Sequence, residues 1–178
     1  MAKSDNCGRR PGPKDCNIED MGLTLSEVSV LRIARLYFMS FSGYSDTAWI
    51  EAGTEAQAVF GEVRGSLVAA GVLGMLNAIR RSRRSTFIYN SPICAFCCTI
   101  LTEHERRMMT ALRAMRTHEI GRAQVEILML CEGNGTNVAL NAMSALAEVI
   151  AEPGSPAHRG TNIHEVRHDA LLDQPVGN

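Results

Sequence analysis

The sequence predicts an all-α fold, a compact bundle of about six helices around a buried third helix. Hydrophobic residues make up 46% of the 178 residues, whereas aromatic residues make up only 5%. That mix favours helices, because strands are enriched in β-branched and aromatic side chains. No alternating strand pattern recurs along the chain. We therefore predict a disordered N-terminal arm at 1–22, a helical domain at 23–152 and a flexible C-terminal tail at 153–178.

A capping signal marks the first helix, and a turn marks the second. Thr24 and Glu27 fit a capping box, in which each side chain binds the backbone N–H of the other residue. The apolar face that follows ends at the turn 42–45, after which a second helix is predicted to about Phe60. Its inward positions are predicted to be Trp49, Ala52, Ala56, Val59 and Phe60.

The third helix, predicted at about 62–81, is the expected centre of the core because it is apolar nearly all round. Three glycines within it, Gly65, Gly71 and Gly74, have no turn residues around them. We expect them to let a neighbouring helix approach closely. The apolar run 65–79 is shorter than the ~20 residues that a membrane span needs, so no membrane segment is predicted. The inward face is predicted to be Val63, Leu67, Ala70, Leu73, Leu76 and Ile79.

Three further helices are predicted after a connector that contains a short extended segment at 86–89. Thr102 and Glu105 fit a second capping box, which begins the first of the three. A Pro- and Gly-rich stretch at 153–156 ends the last one. The three helices are expected at about 103–116, 119–131 and 136–150, and their predicted inward positions include Met108, Met109, Leu112, Ile120 and Leu128.

The net charge and the N-terminal sequence give little information about the partners of the chain and indicate a cytoplasmic location. The formal net charge of −1 gives no general attraction to nucleic acid or to an anionic membrane. The first twenty residues are polar and lack the apolar segment of a signal peptide. We therefore expect a cytoplasmic protein whose six cysteines are mostly reduced.

The cysteines of the connector form one candidate site. Cys94 and Cys97 have the spacing with which two thiolates bind a tetrahedral zinc ion. The remaining ligands would come from Cys98, His104 or the distant Cys131. A redox-active thiol pair is one alternative, and inert packing of buried cysteines is favoured over both. The predicted cofactor is therefore none or a structural zinc.

The segment 164–168, His-Glu-Val-Arg-His, matches H-E-x-x-H and resembles the zincin family of metalloproteases over these five residues. The resemblance implies that His164 and His168 bind zinc and that Glu165 acts as the general base. The residues that follow leave no room for a further ligand, so a chance match is the favoured interpretation. A zinc-dependent hydrolase stays open as an alternative.

A basic run at the C-terminal end of the third helix is the predicted binding site. Such a cluster of guanidinium groups can bind phosphates, and it also complements the negative end of the helix dipole. The run consists of Arg80, Arg81, Arg83 and Arg84. The same surface is expected to include Arg106, Arg107, Arg113 and Arg116.

No enzymatic motif stands in a convincing context within the predicted domain. The sequence therefore predicts a non-enzymatic regulatory or interaction protein that binds another macromolecule, with a protein as the favoured partner. A nucleic-acid-binding regulator that uses Arg80–Arg84 is the first alternative, and the zinc-dependent hydrolase is the second.

Overall fold

The structure, a computed structural model, describes residues 11–151, and within them it shows an all-α compact bundle of six helices. Two short strands form an antiparallel pair beside the bundle. The helices are α1 (Leu25–Phe41), α2 (Ala48–Phe60), α3 (Glu62–Ser82), α4 (Glu103–Arg116), α5 (Ile120–Leu130) and α6 (Thr136–Ile150). The strands are β1 (Cys16–Asn17) and β2 (Ile100–Leu101).

Both predicted capping boxes are present. Thr24 Oγ1 accepts from the N–H of Glu27 at 3.3 Å, and Glu27 Oε2 accepts from the N–H of Thr24 at 2.8 Å. The Thr102–Glu105 box has the same two bonds at 3.1 and 2.9 Å. Each box satisfies two backbone donors that a helix start leaves unpaired. The first residues of α1 and α4 are therefore determined by their local sequence.

The part of the predicted disordered arm (1–22) that the structure describes is ordered. β1 pairs with β2, a short 3₁₀ turn follows it, and Arg113 Nη1 donates to the carbonyl of Met21 at 2.5 Å. Lys14 also forms a 3.0 Å ion pair with Glu103. The expectation of disorder does not hold here because the partners of this polar segment lie far along the chain, where local composition cannot reveal them.

The core lies where α1, α3, α4 and α6 meet, with α2 packed on α1 and α3, and α5 packed on α4. The predicted inward residues of α4, Met108, Met109 and Leu112, are fully buried. The largest fully buried side chains are Leu31, Ile33, Met75, Leu76, Ile79, Leu101, Met108, Met109, Leu112, Ile127, Leu130 and Met143.

The buried face of α3, packed between α2 and α6, includes two of the six predicted inward residues, Leu76 and Ile79, but not the other four. Val68, Val72 and Met75 are fully buried, whereas Val63 is 80% exposed and Leu67 is 56% exposed. The predicted inward residues Ala70 and Leu73 are also exposed. Because the helix is apolar on nearly every side, its periodicity gives no contrast from which to choose the inward face.

α2 buries small side chains and exposes large ones. Ala48, Ala52 and Ala56 are fully buried, while Trp49 is 57% exposed and Ile50 points outward beside it. The prediction that Trp49 points inward is wrong, because alanines at four-residue spacing form the contact face instead. Other residues that were predicted to point inward but are exposed are Val59, Ile120 and Leu128.

Gly65 is a point of very close approach between α2 and α3. A Cβ atom there would lie 2.5 Å from the backbone oxygen of Ala56, well inside van der Waals contact. A Cβ on Gly71 would lie 3.1 Å from Leu146 of α6, whereas one on Gly74 would meet nothing within 4 Å. The predicted role in helix approach is therefore confirmed for Gly65, and Gly74 instead lies open on the outer face.

Candidate functional site

The basic run is divided by the structure into one buried and three exposed arginines. The side chain of Arg83 is 4% exposed and forms a 3.3 Å ion pair with Glu132. It also donates to the carbonyl of Leu130 at the end of α5. Arg83 is therefore not part of an exposed phosphate-binding surface, because its guanidinium group is buried against the C-terminal end of α5. The exposed members of the run are Arg80, Arg81 and Arg84.

Three of the four arginines of α4 do not extend this basic surface. Arg116 forms a 2.8 Å ion pair with the buried Glu27, and Arg113 lies 3.7 Å from the same carboxylate. Arg107 pairs with Glu103 at 2.8 Å. Opposite charges at these distances cancel at longer range, so these three arginines serve the bundle rather than a phosphate.

His104 is held between the basic run and the connector. Its Nδ1 accepts from the N–H of Ile88 at 2.8 Å, and its Nε2 lies 3.2 Å from Nη2 of Arg83. Burial and then the charge of Arg83 lower the pKa of His104 below its usual value. Because Nδ1 accepts a hydrogen bond, the neutral ring carries its proton on Nε2, so neither nitrogen has a free lone pair for a metal ion.

The predicted zinc ligands do not come together. Between residues 11 and 151 no three side chains of His, Cys, Asp or Glu form a group that could hold a metal ion. The backbone N–H of Cys97 contacts Sγ of Cys94 at 3.4 Å, while Cys98 Sγ donates to the carbonyl of Ala95. The structure therefore does not bring Cys94, Cys97, Cys98 and His104 together as a metal-binding group. The H-E-x-x-H motif at 164–168 lies outside the described residues.

A buried ion pair that the sequence did not predict fixes the connector. Arg35 Nε lies 2.7 Å from Glu105 Oε1, and Arg35 Nη2 lies 3.0 Å from Oε2. Arg35 also donates to the carbonyl of Ile100 at 2.6 Å, and Glu105 accepts from the N–H of Asn90 at 3.0 Å. Every charge in this cluster has a partner, so its role is to position the connector rather than to react.

The strongest candidate site is an uncharged surface on the outside of α2 and α3. No charged residue occurs between Arg64 and Arg80, although one face of this stretch is open to solvent. The close approach of α2 and α3 at Gly65 and the equal rise of the two antiparallel helices place Trp49 at about the same level as Leu73 along the helix axes. We call this the α2–α3 surface, and it consists of Trp49, Ile50, Val63, Leu67, Ala70 and Leu73.

Charges of opposite sign stand at the two ends of this surface. Glu62 begins α3, and Arg80 and Arg81 lie in its last turn. All three side chains are exposed, and none forms an ion pair with another residue in the part of the chain that the structure describes. By length and composition alone α3 could also cross a membrane, although 44% of that window is buried inside the bundle.

A pocket of about 250 Å³ lies between α5 and α6. Its lining includes Val125, Leu128 and Leu140 together with the polar side chains of Gln124 and Thr136. No ionisable side chain lines it, so it offers no general acid or base for catalysis.

Comparison of the chain with models of protein families, with curated proteins and with solved structures found no match.

Proposed function

We propose that this protein is a non-enzymatic interaction protein that binds another protein through the α2–α3 surface. The observation that carries the proposal is the outward position of large apolar side chains beside small buried ones. Trp49 lies in solvent while its neighbour Ala48 is fully buried, and Leu67 lies in solvent one residue before the buried Val68. Ser66 and Asn77 are exposed on the same side of α3, so the surface combines large apolar side chains with small polar ones. Exposed apolar side chains on one face are typical of an interaction site.

The composition of the surface fits a protein partner. Tryptophan is among the residues that contribute most to binding energy at protein interfaces, and Trp49 is the only tryptophan in the chain. Charged residues are depleted at the centre of such interfaces and return at the rim. The α2–α3 surface has this arrangement, with Glu62 and Arg80 at its ends.

Photo-crosslinking in intact cells tests this proposal. A benzophenone amino acid at Leu67 is expected to give discrete protein adducts, because this position lies within the surface. The same amino acid at Arg122, an exposed position on α5, serves as the control. The substitution Trp49→Glu should abolish the adducts from position 67 and leave the circular dichroism spectrum unchanged. Equal adducts from both positions, or none from position 67, would contradict the proposal.

Nucleic-acid binding is the second candidate, and the three exposed arginines of the basic run are the observation that favours it. Phosphate contacts are strongest at low salt, so binding of a labelled DNA or RNA duplex near 20 mM salt is the decisive measurement. We expect the triple substitution of Arg80, Arg81 and Arg84 by glutamine to remove such binding. An absence of binding at low salt would dispose of this candidate.

A further inference from the structure

We infer that the partner of the α2–α3 surface is a second copy of this chain, with the two α3 helices packed antiparallel about a two-fold axis. This inference rests on the proposed function, since it uses the same surface and names what covers it. A two-fold interface requires one patch that is complementary to itself. The charges at the two ends of α3 and the side chains between them meet that requirement.

The end charges are complementary in this arrangement. Glu62 and Arg80 are eighteen residues apart in α3, which is about five full turns of a helix. They therefore lie along the same edge of α3 at opposite ends. A two-fold axis through the middle of the helix brings Glu62 of each copy next to Arg80 of the other. Antiparallel packing also sets the helix dipoles in opposite directions, which is the favourable orientation.

The side chains at the centre fit a close crossing. The point midway between Glu62 and Arg80 is at residue 71, and the exposed small residues nearest to it are Ala70 and Gly74. Gly74 has no side chain and a Cβ there would meet nothing within 4 Å, so a large side chain of another chain has room to lie over it. In the antiparallel register Leu67 of one copy lies over Gly74 of the other, and Ala70 lies beside Leu73. Large side chains thus meet small ones across the axis, as helix packing requires.

α2 extends the contact to a useful area. The 21 residues of α3 span roughly 30 Å, and one helix presents a strip about 10 Å wide. The area of that strip is well below the roughly 800 Å² that each partner buries in a standard interface. Adding the outward face of α2, with Trp49 and Ile50, brings the area to roughly 600 Å². We therefore expect a reversible dimer whose population depends on concentration. Because Trp49 lies at the level of Leu73, two residues from the midpoint of the antiparallel contact, we expect its indole to enter a less polar environment when dimers form.

Sedimentation velocity and tryptophan emission, measured on the full chain over a range of concentrations, test this inference. Trp49 is the only tryptophan, so its emission should shift to the blue as dimers form. The substitution Leu67→Glu is expected to leave the protein monomeric with a native circular dichroism spectrum. The single substitutions Glu62→Arg and Arg80→Glu should each weaken association at least tenfold.

A charge swap makes the test specific. The double variant Glu62→Arg with Arg80→Glu should recover most of the affinity that either single variant loses, because the two residues face each other across the axis. Glu148→Arg on α6, an exposed position with the same charge change, should leave the dissociation constant within about twofold. A double variant no better than the single ones would overturn the proposed register.

The outcome also separates this inference from the proposed function. A chain that is monomeric at every concentration, while position 67 still gives adducts with a different protein, would overturn the dimer and leave the interaction surface standing. A blue shift of Trp49 that appears only with phospholipid vesicles, without self-association, would overturn both. Adducts of the chain with itself at position 67, together with the concentration-dependent blue shift, would support both.

Discussion

The guanidinium group of Arg35 and the carboxylate of Glu105 face each other through two parallel hydrogen bonds in the interior of the bundle. Their side chains are 3% and 0% exposed. The pair joins α1 to α4 across seventy residues of chain and holds the connector through the carbonyl of Ile100 and the N–H of Asn90. Buried pairs of this kind give little net stability, but the loss of one partner leaves the other as an uncompensated charge.

Substitution of Arg35 by methionine should therefore lower the free energy of unfolding by about 3–5 kcal/mol, measured by urea denaturation. Arg32 on the same helix provides the matched control, since its 3.3 Å ion pair with Glu55 lies in solvent. Arg32→Met should cost less than about 1 kcal/mol. Similar losses in the two variants would show that burial of the Arg35–Glu105 pair has no energetic consequence.

Gly65→Ala should destabilise the protein by at least about 1–3 kcal/mol, because its new methyl group would overlap the backbone of α2 and overpacking of this kind is costly. Gly53→Ala, in the middle of α2, is the control, since a Cβ there would meet nothing within 4 Å. Alanine is the better helix former by roughly 1 kcal/mol, so Gly53→Ala should raise the midpoint of thermal unfolding. The close helix approach at Gly65 would be refuted by a Gly65→Ala variant as stable as Gly53→Ala.

Acid should weaken the protein through His104. Burial and the charge of Arg83 lower the pKa of this histidine in the folded state, so the unfolded chain binds the proton at a higher pH. Stability from this group is complete above the unfolded value of about 6.5 and is lost as the pH falls toward the folded pKa. Urea denaturation between pH 8 and pH 5 should therefore show a smaller loss of stability for His104→Gln than for the wild type.

His118→Gln provides the control for that experiment, because His118 is exposed. We expect this variant to show the same slope of stability against pH as the wild type. The same slope in all three proteins would mean that protonation of His104 is not coupled to unfolding. Wild-type and His118→Gln curves that both steepen below pH 6.5 would support the coupling.

Metal analysis of purified protein decides between the two predicted zinc sites. A chain truncated after Pro156 should contain far less than one zinc per molecule, because the described residues bring no three metal-binding side chains together. The full-length chain and its His164→Ala variant, analysed in parallel, report on the H-E-x-x-H motif. One tightly held zinc per truncated chain would restore the cysteine site.

The sequence predicted what depends on neighbouring residues and failed where distant residues decide. The capping boxes at Thr24 and Thr102 were found because each needs only a partner three residues away. The inward face of α3 could not be chosen, since Val63 and Val68 are equally apolar and only the positions of α2 and α6 distinguish them. In the same way, Glu105 was predicted as a capping residue, but its bond to Arg35 depends on the folded arrangement of α1 and α4.

The candidate sites, too, could not be predicted where distant residues determine them. Four arginines within five positions indicated one surface, yet Arg83 points inward because Leu130 and Glu132 lie beside it in the folded chain. The α2–α3 surface was missed because an exposed tryptophan and a buried one look the same in a sequence. The absence of charged residues from Gly65 to Ile79 could have indicated this surface, but the sequence analysis interpreted it as the mark of a buried helix.

The three buried alanines of α2 determine how firmly that helix is attached. Each contributes a single methyl group, and a buried carbon of this kind is worth about 0.8 kcal/mol, far less than the leucines and methionines that hold α4. Local opening needs little free energy where few apolar contacts are lost. We therefore expect the amides of α2 to exchange with deuterium before those of α4. If Trp49 and Ile50 are covered by a second copy, that exchange should slow as the protein concentration rises, so that association completes the stability of this helix.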